Sequence, residues 1–269
     1  MEIIFLGTSG FGITASRNLP SILIDRCILV DCGEGCLKSL YKYNYEVNAL
    51  KAIFITHFHP DHILGLIPLI SKIGIYSQDS SIKEYPPIYV PKGMKIQLER
   101  IIDATFSNFL NRNFKIKIIE LELNQDNNLE ITINNKLYHI KWVKTLHSPI
   151  CYAYNFNNEV IISGDTAPFL DFNEFIKNTP ILIHEATFSD REVELAHKLN
   201  HSTPSDVAKI ANENGIKQVY LYHVPDIDKS EEEKFISNAK TIFPNLFVAH
   251  DGDIIIFPLD VVDQQETHD

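Results

Sequence analysis

Three histidines and an aspartate fall within six residues in His57-Phe58-His59-Pro60-Asp61-His62, directly after the apolar run Ala52-Ile53-Phe54-Ile55. Neutral imidazole and carboxylate are ligands of zinc and other first-row divalent ions, at about 2.0–2.2 Å. Residues two apart in a strand point the same way, so His57 and His59, at the end of a strand expected over 52–56, present two nitrogens to one side. Asp61 and His62 fall in the turn before a helix expected over 63–75 and can reach toward a second point. Burying such groups unpaired would cost several kcal/mol. The spacing therefore points to metal binding, and it suits two ions side by side.

Two ions need more ligands, and three further residues stand at expected strand ends: His147, Asp165 in Ser163-Gly164-Asp165-Thr166, and His223. A lone histidine at a strand end is more often structural, so spacing alone does not select these. Cys27, Cys32, Cys36 and Cys151 form no CxxC pair and read as reduced thiols, with Cys32 and Cys36 better explained as small buried residues than as metal ligands.

The elements that position these residues come in two β-rich halves. Short apolar runs bounded by turn residues predict strands over 2–6, 21–24, 28–30 and 52–56, helices over 34–43 and 63–75, a strand over 87–90 and a helix over 94–110. Strands over 114–123, 129–133, 137–143, 151–156 and 160–163 follow, the last two joined by a tight turn at Asn157-Asn158. Beyond Gly164 the pattern alternates: helix 172–177, strand 181–184, helix 203–214 stopped by Gly215, strand 219–223, helix 230–242 and strands 246–249 and 253–257. Ser202-Thr203-Pro204-Ser205 is a strong helix start. The expected fold class is α/β, a four-layer αββα sandwich rather than a Rossmann sheet, with one domain over 1–260 and a polar tail over 261–269.

The net charge of −11 argues against a generally basic nucleic-acid binder. Residues 1–150 carry 16 Lys and Arg against 14 Asp and Glu, whereas residues 151–269 carry 8 against 21, so a polyanion would meet the N-terminal half. The N-terminus shows no signal-peptide pattern and no apolar run approaches membrane-span length, so a soluble, cytoplasmic protein is expected.

The HxHxDH pattern of His57, His59, Asp61 and His62 resembles the metallo-β-lactamase superfamily. Four other stretches resemble its ribonuclease Z branch: Phe5-Leu6-Gly7-Thr8-Ser9-Gly10 with Arg17-Asn18, Asp31-Cys32-Gly33-Glu34-Gly35, His184-Glu185-Ala186-Thr187-Phe188, and His201-Ser202-Thr203. By position, the resemblance implies that His57, His59 and His147 bind one Zn²⁺, that Asp61, His62 and His223 bind a second, and that Asp165 bridges the two. Mn²⁺ or iron would suit the same ligands. Asp31 would orient a ligand, while His201 and Glu185 would handle protons beside the metals, with Asp61 also at the reacting centre. Two ions about 3.5–4 Å apart would share a hydroxide as nucleophile. His184 is given only a structural hydrogen bond, and His139, His197, His250 and His268 match no motif.

The sequence departs from the branch in one respect. Ribonuclease Z enzymes of the usual bacterial type carry a tRNA-clamping arm between the ligands matching His147 and Asp165. Here these lie 18 apart, and one hairpin fills the gap. The expected activity is therefore a dinuclear zinc-dependent hydrolase, foremost a phosphodiesterase acting on a small or cyclic nucleotide or an RNA end. The rival readings are an armless tRNA 3′-end endoribonuclease, a hydrolase of another ester such as an aryl sulfate or lactone, and a non-catalytic metal or redox module. Relatives often form homodimers, which extends to this chain as an expectation. Lys83, Lys92, Lys95, Arg100, Arg112, Lys115 and Lys117 in 71–123 read as a solvated face rather than a nucleic-acid surface.

Overall fold

Most strands are apolar on both faces because each sheet is covered twice, by helices on one side and by the other sheet on the other. The computed structural model describes residues 1–258 apart from 11, 13, 79–84, 107–115 and 125–126. The first half of the chain forms β1 (Glu2–Gly7), β2 (Ser21–Ile24), β3 (Ile28–Val30), α1 (Cys36–Lys42), β4 (Ala52–Phe54), α2 (Pro60–Ile63), α3 (Leu66–Gln78), β5 (Ile88–Pro91), α4 (Lys95–Phe106) and β6 (Ile118–Leu121). The second half forms β7 (Asn128–Ile133), β8 (Lys136–Lys144), β9 (Tyr152–Phe156), β10 (Val160–Ile162), α5 (Leu170–Ile176), β11 (Ile181–Glu185), α6 (Val193–Lys198), α7 (Pro204–Glu213), β12 (Gln218–Tyr222), α8 (Lys229–Ile242), β13 (Leu246–Val248) and β14 (Ile254–Ile256).

Two seven-stranded sheets result, in the orders β14-β1-β2-β3-β4-β5-β6 and β13-β12-β11-β10-β9-β8-β7. Each is antiparallel at one end and parallel at the other; the pairs β3–β4, β4–β5 and β5–β6 match β10–β11, β11–β12 and β12–β13. Strand alternation sorts the side chains. Ile3, Phe5, Ile22 and Phe54 join Tyr138, Trp142, Tyr154 and Ile183 in the core between the sheets. Ile4, Leu23 and Ile53 face the other way, against residues of α1, α3 and α4, and Ile161, Leu182 and Leu221 pack against α5, α7 and α8. This is the four-layer αββα arrangement that the sequence predicts.

Local chemistry explains most boundaries. Asn157 and Asn158 both have φ near 55°, the left-handed pair that a two-residue hairpin needs. Thr203 caps α7 by accepting from the Asp206 N–H, with Pro204 in the first turn, and Gly215 beyond the helix has φ 71°. Two expectations need correction. The helix over 63–75 is two helices, α2 and α3, and Asp61 and His62 lie inside α2 rather than in a turn before it. The break falls at Gly65, whose N–H donates to the Cys32 carbonyl (2.9 Å). α6 is missing from the expected elements; a capping box between Ser189 and Glu192 closes the single 3-10 turn that runs into it, and Ser189-Asp190-Arg191-Glu192 is a readable signal for that turn. The end of the helix over 94–110, the start of the strand over 114–123 and the tail over 261–269 lie outside the described residues.

The C-terminal ends of β3, β4, β8, β10, β11 and β12 gather at one end of the sandwich, where α/β sheets commonly place their ligands. Cross-sheet ties hold them there: the Tyr152 N–H donates to the Thr56 carbonyl (2.9 Å), the Tyr154 hydroxyl to the Ile55 carbonyl (2.7 Å), and Ser9 bridges Val224. A Cβ added at Gly65 would sit 2.1 Å from the Gly33 carbonyl oxygen, so the turn after β3 and the α2–α3 junction fit only without a side chain there. Gly65→Ala is expected to lower the unfolding free energy by about 1–3 kcal/mol, read from the urea midpoint at constant m.

Candidate metal centre

Asp31 follows β3 in a left-handed backbone conformation, φ 58°, which turns its buried carboxylate toward the loop after β4. Its Oδ1 accepts the Thr56 N–H (2.7 Å) and its Oδ2 accepts the Thr56 hydroxyl (2.8 Å). The same Oδ2 lies 2.8 Å from His62 Nδ1, which therefore donates to it. With its proton committed to Asp31, the Thr56 hydroxyl can only accept from His57 Nδ1 (3.0 Å). One carboxylate and one hydroxyl thus fix two imidazoles with their Nε2 lone pairs pointing inward.

The same device recurs on the second sheet. His147 Nδ1 donates to the Asn200 carbonyl (3.0 Å). Thr187 gives its hydroxyl proton to Glu185 Oε2 (2.8 Å) and accepts from His223 Nδ1 (2.8 Å). His223 is itself left-handed, φ 53°, at the end of β12. In metal sites such distal hydrogen bonds set tautomer and ring orientation.

The inward-facing atoms form two groups joined by Asp165, which also clusters with His201 and His223. His57, His59, His147 and Asp165 each offer one atom to a cluster within 4.8 Å, and so do Asp61, His62 and His223. Asp165 Oδ2 lies 3.4 Å from His57 Nε2 and 3.8 Å from His147 Nε2, while Oδ1 lies 3.5 Å from His62 Nε2 and 3.6 Å from His223 Nε2. Asp61 Oδ2 reaches His223 Nε2 at 3.2 Å and His62 Nε2 at 3.7 Å. Gly164, φ 59°, lets this happen: a Cβ there would meet Cys151 Sγ at 2.7 Å.

His62 Nε2 and Asp165 Oδ1 are buried and have no hydrogen-bond partner. Lone pairs and carboxylate oxygens converging in a dry site repel one another unless a cation lies among them. The residues present therefore fit divalent ions, with nitrogen and oxygen donors that suit zinc, manganese or iron. The electrostatics agree. Burial opposes a charge on His62, yet the carboxylates of Asp165 and Asp31 push its pKa up to about 10. Burial would raise Asp165, but His223 and His62 hold it well below the usual carboxylate range.

His201 sits at the rim shared by both groups, its ring 5.0 Å from that of His147 and 5.9 Å from that of His223. Its Nδ1 donates to Glu185 Oε1 (2.9 Å). Glu185 is fully buried and also accepts the N–H groups of Thr166 (3.1 Å), Ser202 (3.1 Å) and Thr187 (2.9 Å). Against the cost of burial, the Glu185 hydrogen bond and charge raise the pKa of His201.

The seven candidate ligands meet here with Asp31, Glu185 and His201, from both halves of the chain. Thr56, Thr187 and Asn200 were not singled out, although Thr56 opens the histidine segment and Thr187 lies within His184-Glu185-Ala186-Thr187-Phe188. His184 faces away from the centre, edge-on to Phe172 in the helix-side core, with Nδ1 2.7 Å from the Glu185 carbonyl. The four cysteines are buried and free, and among the described residues none joins a metal-holding group. Lys92 and Lys95 face Glu122 and Glu99, as expected of a solvated face, whereas Lys83, Arg112 and Lys115 lie outside the described residues. No described helix is long and apolar enough to cross a membrane.

The chain is similar to known proteins in both sequence and fold. The chain is 30% identical to a ribonuclease Z of Sulfurisphaera tokodaii, over 93% of this chain and 96% of that protein. It is 26% identical to a ribonuclease Z of Methanosarcina mazei, again over 93% of this chain and 96% of that protein. Among solved structures it is similar to YhfI, a metallo-β-lactamase fold protein of Bacillus subtilis, with a TM-score of 0.78, 22% identity and 94% and 98% of the two chains covered. It is also similar to the short form of human tRNase Z, with a TM-score of 0.75, 22% identity and coverage of 96% and 100%. The family described as anti-Pycsar protein Apyc1 matches residues 1–242, so the chain belongs to that family, in the ribonuclease Z-like branch of the metal-dependent hydrolases with the metallo-β-lactamase fold.

Proposed function

We propose that the two ligand groups form a dinuclear zinc centre and that the chain hydrolyses a small phosphodiester, a cyclic or otherwise short nucleotide. The supporting observation is the segment between His147 and Asp165. Its residues are taken up by β9, the Asn157–Asn158 turn and β10, all inside the second sheet, which leaves no chain for an arm over the site. The alignment with the Methanosarcina mazei ribonuclease Z runs over 306 positions, more than the 269 residues of this chain, so that relative has segments lacking here. A second reading, cleavage of an RNA such as a tRNA precursor, is favoured by the near full-length match to proteins named ribonuclease Z.

Divalent ions in this centre supply a water that ionises near neutral pH and positive charge beside the phosphoryl oxygens. The protein's own residues do the rest. Asp31, Thr56, the Asn200 carbonyl and Thr187 lock the rings of His62, His57, His147 and His223, so the site needs no reorganisation as charge develops. Glu185 favours the protonated form of His201 and orients it by Nδ1, with Nε2 as the donor to the departing oxygen. Asp165 carries no proton and stays anionic between the two groups.

Four outcomes test this reading. Zn²⁺ or Mn²⁺ added to chelator-stripped protein at about a hundred times the dissociation constant should stabilise it by about 2.7 kcal/mol, and Asp165→Ala should remove most of that gain in thermal melts. His201→Ala should slow hydrolysis of a 3′,5′-cyclic nucleotide by about 10²–10⁴-fold while elemental analysis still finds two metals per chain; loss of metal would make His201 a ligand instead. The acid form of His201 is the active one, so kcat/KM falls as pH rises through its raised pKa. Glu185→Gln withdraws the charge that raises it, and the alkaline limb should therefore move to lower pH. Finally, turnover of bis(p-nitrophenyl) phosphate and cyclic nucleotide without cleavage of a precursor tRNA would favour the small-substrate reading, and the reverse would favour the RNA.

A further inference from the structure

Beside the second ligand group lies a cavity of about 270 Å³ lined by Gly12, Leu19, Glu34, Pro60, Asp61 and Leu64. Asp61 is shared: it walls the cavity and also reaches His223 Nε2 at 3.2 Å, so a molecule in the cavity abuts the reacting centre. Leu19, Pro60 and Leu64 make the walls mostly apolar. Leu64 is 49% exposed despite its size, although the core beneath it is closed. Glu34 contributes an exposed carboxylate, an acceptor without a proton to give.

The cavity is built by the two glycines at the junction. The Leu19 N–H donates to the Glu34 carbonyl (3.2 Å), the Cys32 N–H to the His62 carbonyl (2.8 Å) and the Gly65 N–H to the Cys32 carbonyl (2.9 Å). A Cβ on Gly33 would lie 2.3 Å from the Asp61 carbonyl oxygen and 2.5 Å from Leu19 Cβ. The turn Asp31-Cys32-Gly33-Glu34-Gly35 therefore does two jobs. Asp31 points inward to His62, while Gly33 and Glu34 shape a hollow just outside the metal groups.

We propose that this cavity is the nucleobase subsite of the enzyme, an inference that rests on the small-nucleotide reading and names the part of the substrate recognised there. Its volume lies just under the roughly 300–1,000 Å³ of pockets for drug-sized ligands, the scale of one base rather than of a strand. The flat faces of a base pack on Leu64, Pro60 and Leu19. An N–H on the base edge donates to Glu34. The phosphodiester then lies past Asp61, between the ligand groups. A phosphate in the cavity itself would face two carboxylates, Glu34 and Asp61, and that repulsion fixes which end of the nucleotide goes where.

The test is calorimetric titration of AMP and of ribose 5-phosphate into Mn²⁺-loaded protein. AMP is expected to bind about tenfold or more tightly than ribose 5-phosphate, the base contributing the difference. Leu64→Glu and Glu34→Ala, both at exposed positions, should shrink that ratio toward one with the metal content intact. Equal affinity of the two ligands for the unsubstituted protein, or a ratio untouched by both substitutions, overturns the subsite. Hydrolysis of 3′,5′-cyclic AMP and bis(p-nitrophenyl) phosphate is measured on the same samples. A clear AMP preference with no phosphodiester turnover would sink the proposed function and leave the subsite standing. Turnover without any base preference would do the opposite.

Discussion

Everything in this protein depends on holding ring nitrogens and carboxylate oxygens together in a largely buried site. Left to themselves, the side chains of His57, His62, His147, His223 and Asp165 would turn aside from one another. Each imidazole is prevented from doing so at its far nitrogen, through Asp31, Thr56, Thr187 or a backbone carbonyl. Those anchors are buried and hydrogen-bonded in turn, so the repulsion at the centre is set against a rigid frame. A cation converts the repulsion into attraction, and the frame then has nothing left to resist.

The repeated sheet plan makes such a frame economical. Parallel pairing in both sheets aims several strand ends at one region, and the segments that follow them deliver the polar residues. The first sheet supplies Asp31 and the histidine segment; the second supplies His147, Asp165, Glu185 and His223. Neither sheet holds a complete set. The inter-sheet core and the Tyr152–Thr56 and Tyr154–Ile55 hydrogen bonds are therefore part of the chemistry, because they fix the distance between the two half-sets.

Much of this was legible in the sequence, for identifiable reasons. Strands buried on both faces read as short apolar runs, and the histidine spacing reads directly as strand-end chemistry. The α2–α3 break was not legible, because it depends on Gly65 touching a turn over thirty residues earlier in the chain. The distal partners were hidden for the same reason: Asn200 lies 53 residues from His147, and Thr187 lies 36 from His223. α6 was passed over although Ser189 and Glu192 announce the turn that runs into it. Local signals gave element identity, then, while the supports of the site required knowing which loops meet.

At Asn44, Asn134, Asn135, Asn157, Asn158, Asn178 and Asn200 the chain turns left-handed with asparagine, the residue that does so at small cost. Asp25 and Arg26 make the same turn between β2 and β3, and Asp31 and His223 make it beside the metal groups. Asp31 and His223 fall where a carboxylate and an imidazole must look back toward the seam between the sheets. At these two positions the main chain takes a conformation that few side chains adopt readily, so that the group the centre needs looks the right way.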